Sequence, residues 1–90
     1  MPNYVIEREI PGAGQFSGED LKGISQKSCR VLAELGPDIQ WINSYVTDDK
    51  IYCIYRSTDE DLIRKHAIQG GFPANVISAI RATIDPSTSD

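Results

Sequence analysis

Only two cysteines, one histidine, one methionine and one tryptophan occur in the 90 residues. Two thiols cannot build a disulfide framework, which predicts reduced cysteines and a cytoplasmic protein. Long apolar runs are missing as well. The longest, Ile51-Tyr52-Cys53-Ile54-Tyr55, falls far short of the ~20 residues a membrane-spanning helix needs. No basic segment followed by an apolar one opens the chain, which predicts no secretory leader. Positive charge is scarce too: nine Lys and Arg face thirteen Asp and Glu, for a net charge of −4. The basic residues are scattered, with Arg64-Lys65 the only adjacent pair. A nucleic-acid backbone finds no basic stripe here.

What is present suffices for a small folded unit. Apolar residues make up 40% of the chain, close to the globular norm. The length fits one domain, expected over residues 1–86, with a flexible tail at 87–90. Tyr4 to Ile10 is rich in strand formers, and Pro11-Gly12-Ala13-Gly14 stops it. Ser17 offers an N-cap, with Asp20 closing a short form of the capping box. Leu21, Ile24, Ser28, Val31, Leu32 and Leu35 then recur at helical spacing up to Gly36-Pro37.

Ile39 to Thr47 and Lys50 to Arg56 read as a hairpin turning at Asp48-Asp49. Thr58 is the expected cap of a second helix, which Gly70-Gly71 ends. Val76 to Ile84 suits either period, but its β-branched content favours a strand. The order is β-α-β-β-α-β, the split βαβ unit: α+β, a four-stranded antiparallel sheet with two helices on one face. Strict alternation puts Trp41 and Tyr45 on one face of their strand. One sheet face is left without cover from its own chain, which predicts a homodimer.

Few residues carry chemistry. Gly12-Ala13-Gly14-Gln15-Phe16-Ser17 resembles a dinucleotide fingerprint but ends in Ser, and no parallel sheet accompanies it. A flexible connection with a helix cap explains it. His66 falls among Leu62, Ile63, Ala67 and Gly70 on the buried stripe, where an imidazole requires a hydrogen-bond partner or a metal. Cys53 lies mid-strand, and parity leaves open which face it takes. Thiolate and imidazole together suit nickel, copper or zinc. A carboxylate such as Glu7 or Glu9, a phenol, or a second subunit must complete such a site. Cys29, on the flank of its helix, has less claim.

Several segments carry a resemblance: Tyr4-Val5-Ile6-Glu7-Arg8-Glu9-Ile10-Pro11-Gly12-Ala13-Gly14, Ile24-Ser25-Gln26-Lys27-Ser28-Cys29, Ser44 to Cys53, and His66-Ala67 with Gly70-Gly71-Phe72-Pro73. They are similar to a family of small bacterial proteins that includes a nickel-binding, nickel-responsive cytoplasmic protein. The resemblance implies a ferredoxin-like fold, a homodimer of the dimeric α/β barrel kind, and nickel binding with a cleft at the dimer. Cys53, His66 and Glu7 are the ligands selected on donor chemistry. The expected function is nickel binding, sequestration or response without catalysis. The alternative is a small enzyme or ligand-binding module, its pocket lined by Trp41, Tyr45 and Tyr52, with His66 or Glu7 moving a proton.

Overall fold

A computed structural model describes all 90 residues. Its elements are β1 (Asn3–Glu9), α1 (Gly18–Leu35), β2 (Ile39–Val46), β3 (Lys50–Ser57), α2 (Glu60–Gly70) and β4 (Val76–Ala79). The strands form one antiparallel sheet in the order β2-β3-β1-β4. This is the ferredoxin-like α+β arrangement that the element order predicts.

Alternation along the two central strands decides which side chains meet the helices. Tyr4, Ile6 and Arg8 of β1 are buried, as are Ile51, Cys53, Tyr55 and Ser57 of β3. Ile6 lies opposite Cys53, and Glu7 opposite Tyr52. Cys53 therefore faces the helices, which answers the question that parity left open. Glu7 and Tyr52 lie on the other, open face. The core gathers Tyr4, Ile6, Ile39, Ile51, Cys53, Tyr55 and Ile63.

Strand β2 departs from strict alternation. Its register against β3 shifts between Trp41 and Asn43, so Ile42 is an extra, bulged residue. Trp41 lies opposite Tyr55 and Ser44 opposite Cys53, whereas Asn43 lies opposite Ile54 and Tyr45 opposite Tyr52. The bulge reverses side-chain parity. Trp41 thus faces the helices and Tyr45 the open side, contrary to the shared face expected from their spacing.

The helix boundaries follow local chemistry. Ser17 Oγ accepts from the Asp20 backbone N–H at 3.1 Å, and Asp20 Oδ2 from that of Ser17 at 2.9 Å, completing the capping box. The second helix is capped by Asp59 rather than Thr58: its Oδ1 accepts from Leu62 N–H at 3.0 Å. Strand β4 stops at Ala79, well before Ile84. Its partner β1 begins opposite that point, with Tyr4 against Ala79, and Pro2 has no N–H to extend the ladder. The terminal residues Pro86–Ser89 form one exposed 3-10 turn capped by Asp85.

Glycines shape the β1–α1 connection. Gly12 adopts φ 79°, a left-handed conformation that disfavours a side chain. A Cβ on Gly14 would stand 2.9 Å from the Asp48 Cα. That close approach lets Gly14 N–H donate to Asp48 O and Ile10 N–H to Asp49 O, both at 3.0 Å. The glycines thus dock the β2–β3 hairpin tip, and no phosphate cradle is needed to explain them.

Candidate functional site

A polar cluster lies under the helices, centred on Arg8. Arg8 is 3% exposed, and neither ion pair of the chain, Lys50–Glu7 or Arg64–Glu60, involves it. Its Nε donates to Cys53 Sγ at 3.4 Å and its Nη1 to the Pro73 carbonyl at 2.6 Å. Its Nη2 is buried with no partner. The ring centroids of Phe72 and Tyr55 lie 5.5 and 6.0 Å from Cζ, within reach of a cation–π attraction that offsets part of the desolvation.

His66 is wholly buried beside it. Its ring stacks on Phe72 with centroids 5.6 Å apart and meets Tyr55 edge-on at 5.1 Å. Nε2 lies 3.0 Å from Ser28 Oγ, while Nδ1 has no partner. A proton on Nε2, donated to Ser28, strands a lone pair rather than an N–H, and we assign that tautomer. Burial, reinforced by the Arg8 charge, lowers the His66 pKa from 6.5 to about 4. The ring is neutral at pH 7. Burial also raises the Tyr55 phenol above its ordinary value.

Phe72 reaches this position because α2 ends sharply. Gly71 adopts φ 70°, and Phe72 N–H returns to the Ala67 carbonyl at 2.9 Å. A Cβ on Gly70 would stand 2.4 Å from the Phe72 ring. The bare glycine is what admits the ring.

Between α1 and the sheet, this cluster borders a cavity of about 180 Å³. Arg8, Cys53, Tyr55 and Phe72 form its polar and aromatic end, and Leu21, Ile24, Trp41, Val46 and Ile51 supply apolar walls. Trp41 Nε1 donates to Ser44 Oγ at 2.9 Å.

The open face carries a different set. Glu7 Oε1 accepts from Lys50 Nζ at 2.5 Å, and this hydrogen bond, with the Glu7 charge behind it, raises the lysine pKa. Glu9, the register partner of Lys50, lies beside them. Asn43 Nδ2 donates to Tyr45 Oη at 3.3 Å.

The expected ligands Cys53, His66 and Glu7 are thus not brought together. Cys53 and His66 share the helix side, and Glu7 is on the opposite face of the sheet. No three His, Cys, Asp or Glu side chains of one chain converge as a metal cluster. The core pair also has the Arg8 cation for a neighbour, which repels a dication in a low-dielectric interior. Tyr45 and Tyr52 share the open face, while Trp41 lines the cavity on the other side. Sequence reasoning missed Arg8. Its parity with Tyr4 and Ile6 was the available sign.

The family model for the nickel-responsive SCO4226-like proteins matches residues 4–80. The chain belongs to this family. The solved structure of SCO4226 from Streptomyces coelicolor A3(2) superposes with a TM-score of 0.77 at 12% identity, covering 91% of this chain and 99% of that one. At that identity the likeness establishes the fold. Among curated proteins none matches the chain. SCO4226-like membership fits the nickel-responsive resemblance read from the sequence. No helix is long and apolar enough to cross a membrane.

Proposed function

We propose that the protein binds nickel as part of a nickel response, in a dimer whose subunits share the metal at the open sheet face. The family match over residues 4–80 carries the reading. One subunit offers no three-donor cluster, so a second must contribute. A two-fold axis doubles every donor: Glu7 and Glu9 of one open face become four carboxylates across two. The buried Cys53–His66 pair takes no part, because Arg8 sits against the thiol.

Glu7 is already engaged by Lys50, so a metal at this carboxylate competes with an ammonium. Equilibrium dialysis of tag-free protein against Ni²⁺ tests the assignment. Saturable binding is expected, lost in Glu7→Gln/Glu9→Gln, tightened in Lys50→Gln and unchanged in Cys53→Ser. Absence of saturable binding overturns the nickel reading. Binding that survives Glu7→Gln/Glu9→Gln, or fails in Cys53→Ser, overturns the open-face site.

A further inference from the structure

A buried arginine without a carboxylate is an unusual tenant of a small core. Isolated charges in an apolar interior are costly, and the compensating partner is normally an acid or a hydrogen-bonded network. Arg8 has a thiol, one carbonyl and two aromatic rings, and Nη2 is left over. The same side chain lines the cavity between α1 and the sheet. An apolar space ending at an unneutralised cation defines a ligand with the opposite arrangement.

We propose that this cavity binds a small organic monoacid, with its apolar body between α1 and β2 and its carboxylate at the Arg8 guanidinium. The volume of about 180 Å³ is slightly larger than an apolar protein cavity of ~150 Å³ known to take benzene. The body is therefore limited to roughly one six-membered ring or a branched chain of similar size. Leu21, Ile24 and Ile51 pack against its faces, and the Trp41 indole forms a wall at the β2 edge. Ser28 and Ser44 also line the cavity, and their hydroxyls, which accept from His66 and Trp41, keep a proton for the second carboxylate oxygen. Nε has given its one N–H and Nη1 one of its two. The free donors are the second N–H of Nη1 and the pair on Nη2, the latter reached once the closed-off Nη2 turns toward the cavity. A charge-assisted hydrogen bond in such surroundings is stronger than a neutral one. Size and charge together select the ligand.

The site is separate from the open-face carboxylates proposed for nickel, because the sheet lies between them. Benzoate is a suitable probe and benzyl alcohol its uncharged counterpart. The single tryptophan, Trp41, lines the cavity and reports occupancy through its fluorescence in metal-free protein. Benzoate is expected to change the emission saturably and to bind about tenfold or more tightly than benzyl alcohol, a difference a charge-assisted contact supplies. Arg8→Met, with its fold checked by circular dichroism, is expected to lose that preference. No saturable change with benzoate overturns the proposal. Equal affinity for the two probes overturns it as well, leaving an apolar cavity without acid selectivity. The wild-type comparison decides even where Arg8→Met fails to fold. Nickel binding at the open face is indifferent to either result.

Discussion

At the scale of single residues, His66 shows what the buried stripe of a helix can hide. Its place among Ile63, Ala67 and Gly70 was readable from spacing, and so was its need for a partner. The partner, Ser28 on the other helix, was not, because pairing across elements depends on packing rather than on local pattern. Neutrality has a measurable consequence. The folded-state pKa of about 4 lies below the ordinary 6.5, so between those values the unfolded chain binds a proton that the native ring refuses. Stability from this residue is complete above pH 6.5 and falls as pH drops through the window. By pH 5 the loss is about 2 kcal/mol. Urea unfolding at pH 7.5 and pH 5.0 measures it, with His66→Gln as reference. The wild type is expected to lose about that much more stability than the variant. Equal losses would mean that the ring is protonated in the native state. Arg8 taught the complementary lesson. Its strand parity placed it inward, yet charge alone argued for the surface, and only the structure shows which of the two prevailed.

At the scale of elements, regular periodicity was legible and its interruptions were not. The helix over Gly18–Leu35, its Ser17 cap and the hairpin follow from spacing and turn chemistry. The β2 bulge does not, since Ile42 fits an alternating strand as well as its neighbours do. That single extra residue moves Trp41 to the helix side and makes it a cavity wall instead of an open-face aromatic. The end of β4 was hidden for a similar reason: it is set by where β1 runs out, not by the β4 sequence. The Gly12–Gly14 turn is the best place to test an element junction. A methyl on Gly14 would press on Asp48 backbone at 2.9 Å, where no flexible side-chain end can yield. Gly14→Ala is expected to destabilise the fold by about 1–3 kcal/mol through overpacking. Gly18→Ala meets nothing within 4 Å and serves as control. Thermal unfolding separates the two, and equal midpoints would show that the hairpin tip moves freely away from the turn.

At the scale of the whole molecule, the sheet has two faces and the chain covers one. The helices take the side of Ile6, Cys53 and Tyr55, and the opposite side presents Val5, Tyr52 and Ile54 with Tyr45 and Val76, which are 58% and 48% exposed. The aromatic pair on that face is Tyr45 with Tyr52, not Tyr45 with Trp41, and the argument for a partner survives the exchange. Lys50–Glu7 is a neutral pair in close contact, a form in which charge tolerates being covered far better than an isolated ion does. A second copy placed sheet to sheet about a two-fold axis covers both open faces with one self-complementary contact. Apolar area removed from water contributes about 25 cal/mol per Å² before association costs, and standard interfaces bury ~800 Å² per partner. Light scattering at micromolar concentration is expected to give twice the chain mass of 10.0 kDa. Ile54→Glu puts an unpaired carboxylate in the middle of that face without touching the helix side. The variant is expected to remain folded by circular dichroism and to scatter as a monomer. It should lose shared nickel while keeping the benzoate response of Trp41. A wild-type monomer, or a dimer indifferent to Ile54→Glu, would place the contact elsewhere and take the shared open-face metal with it.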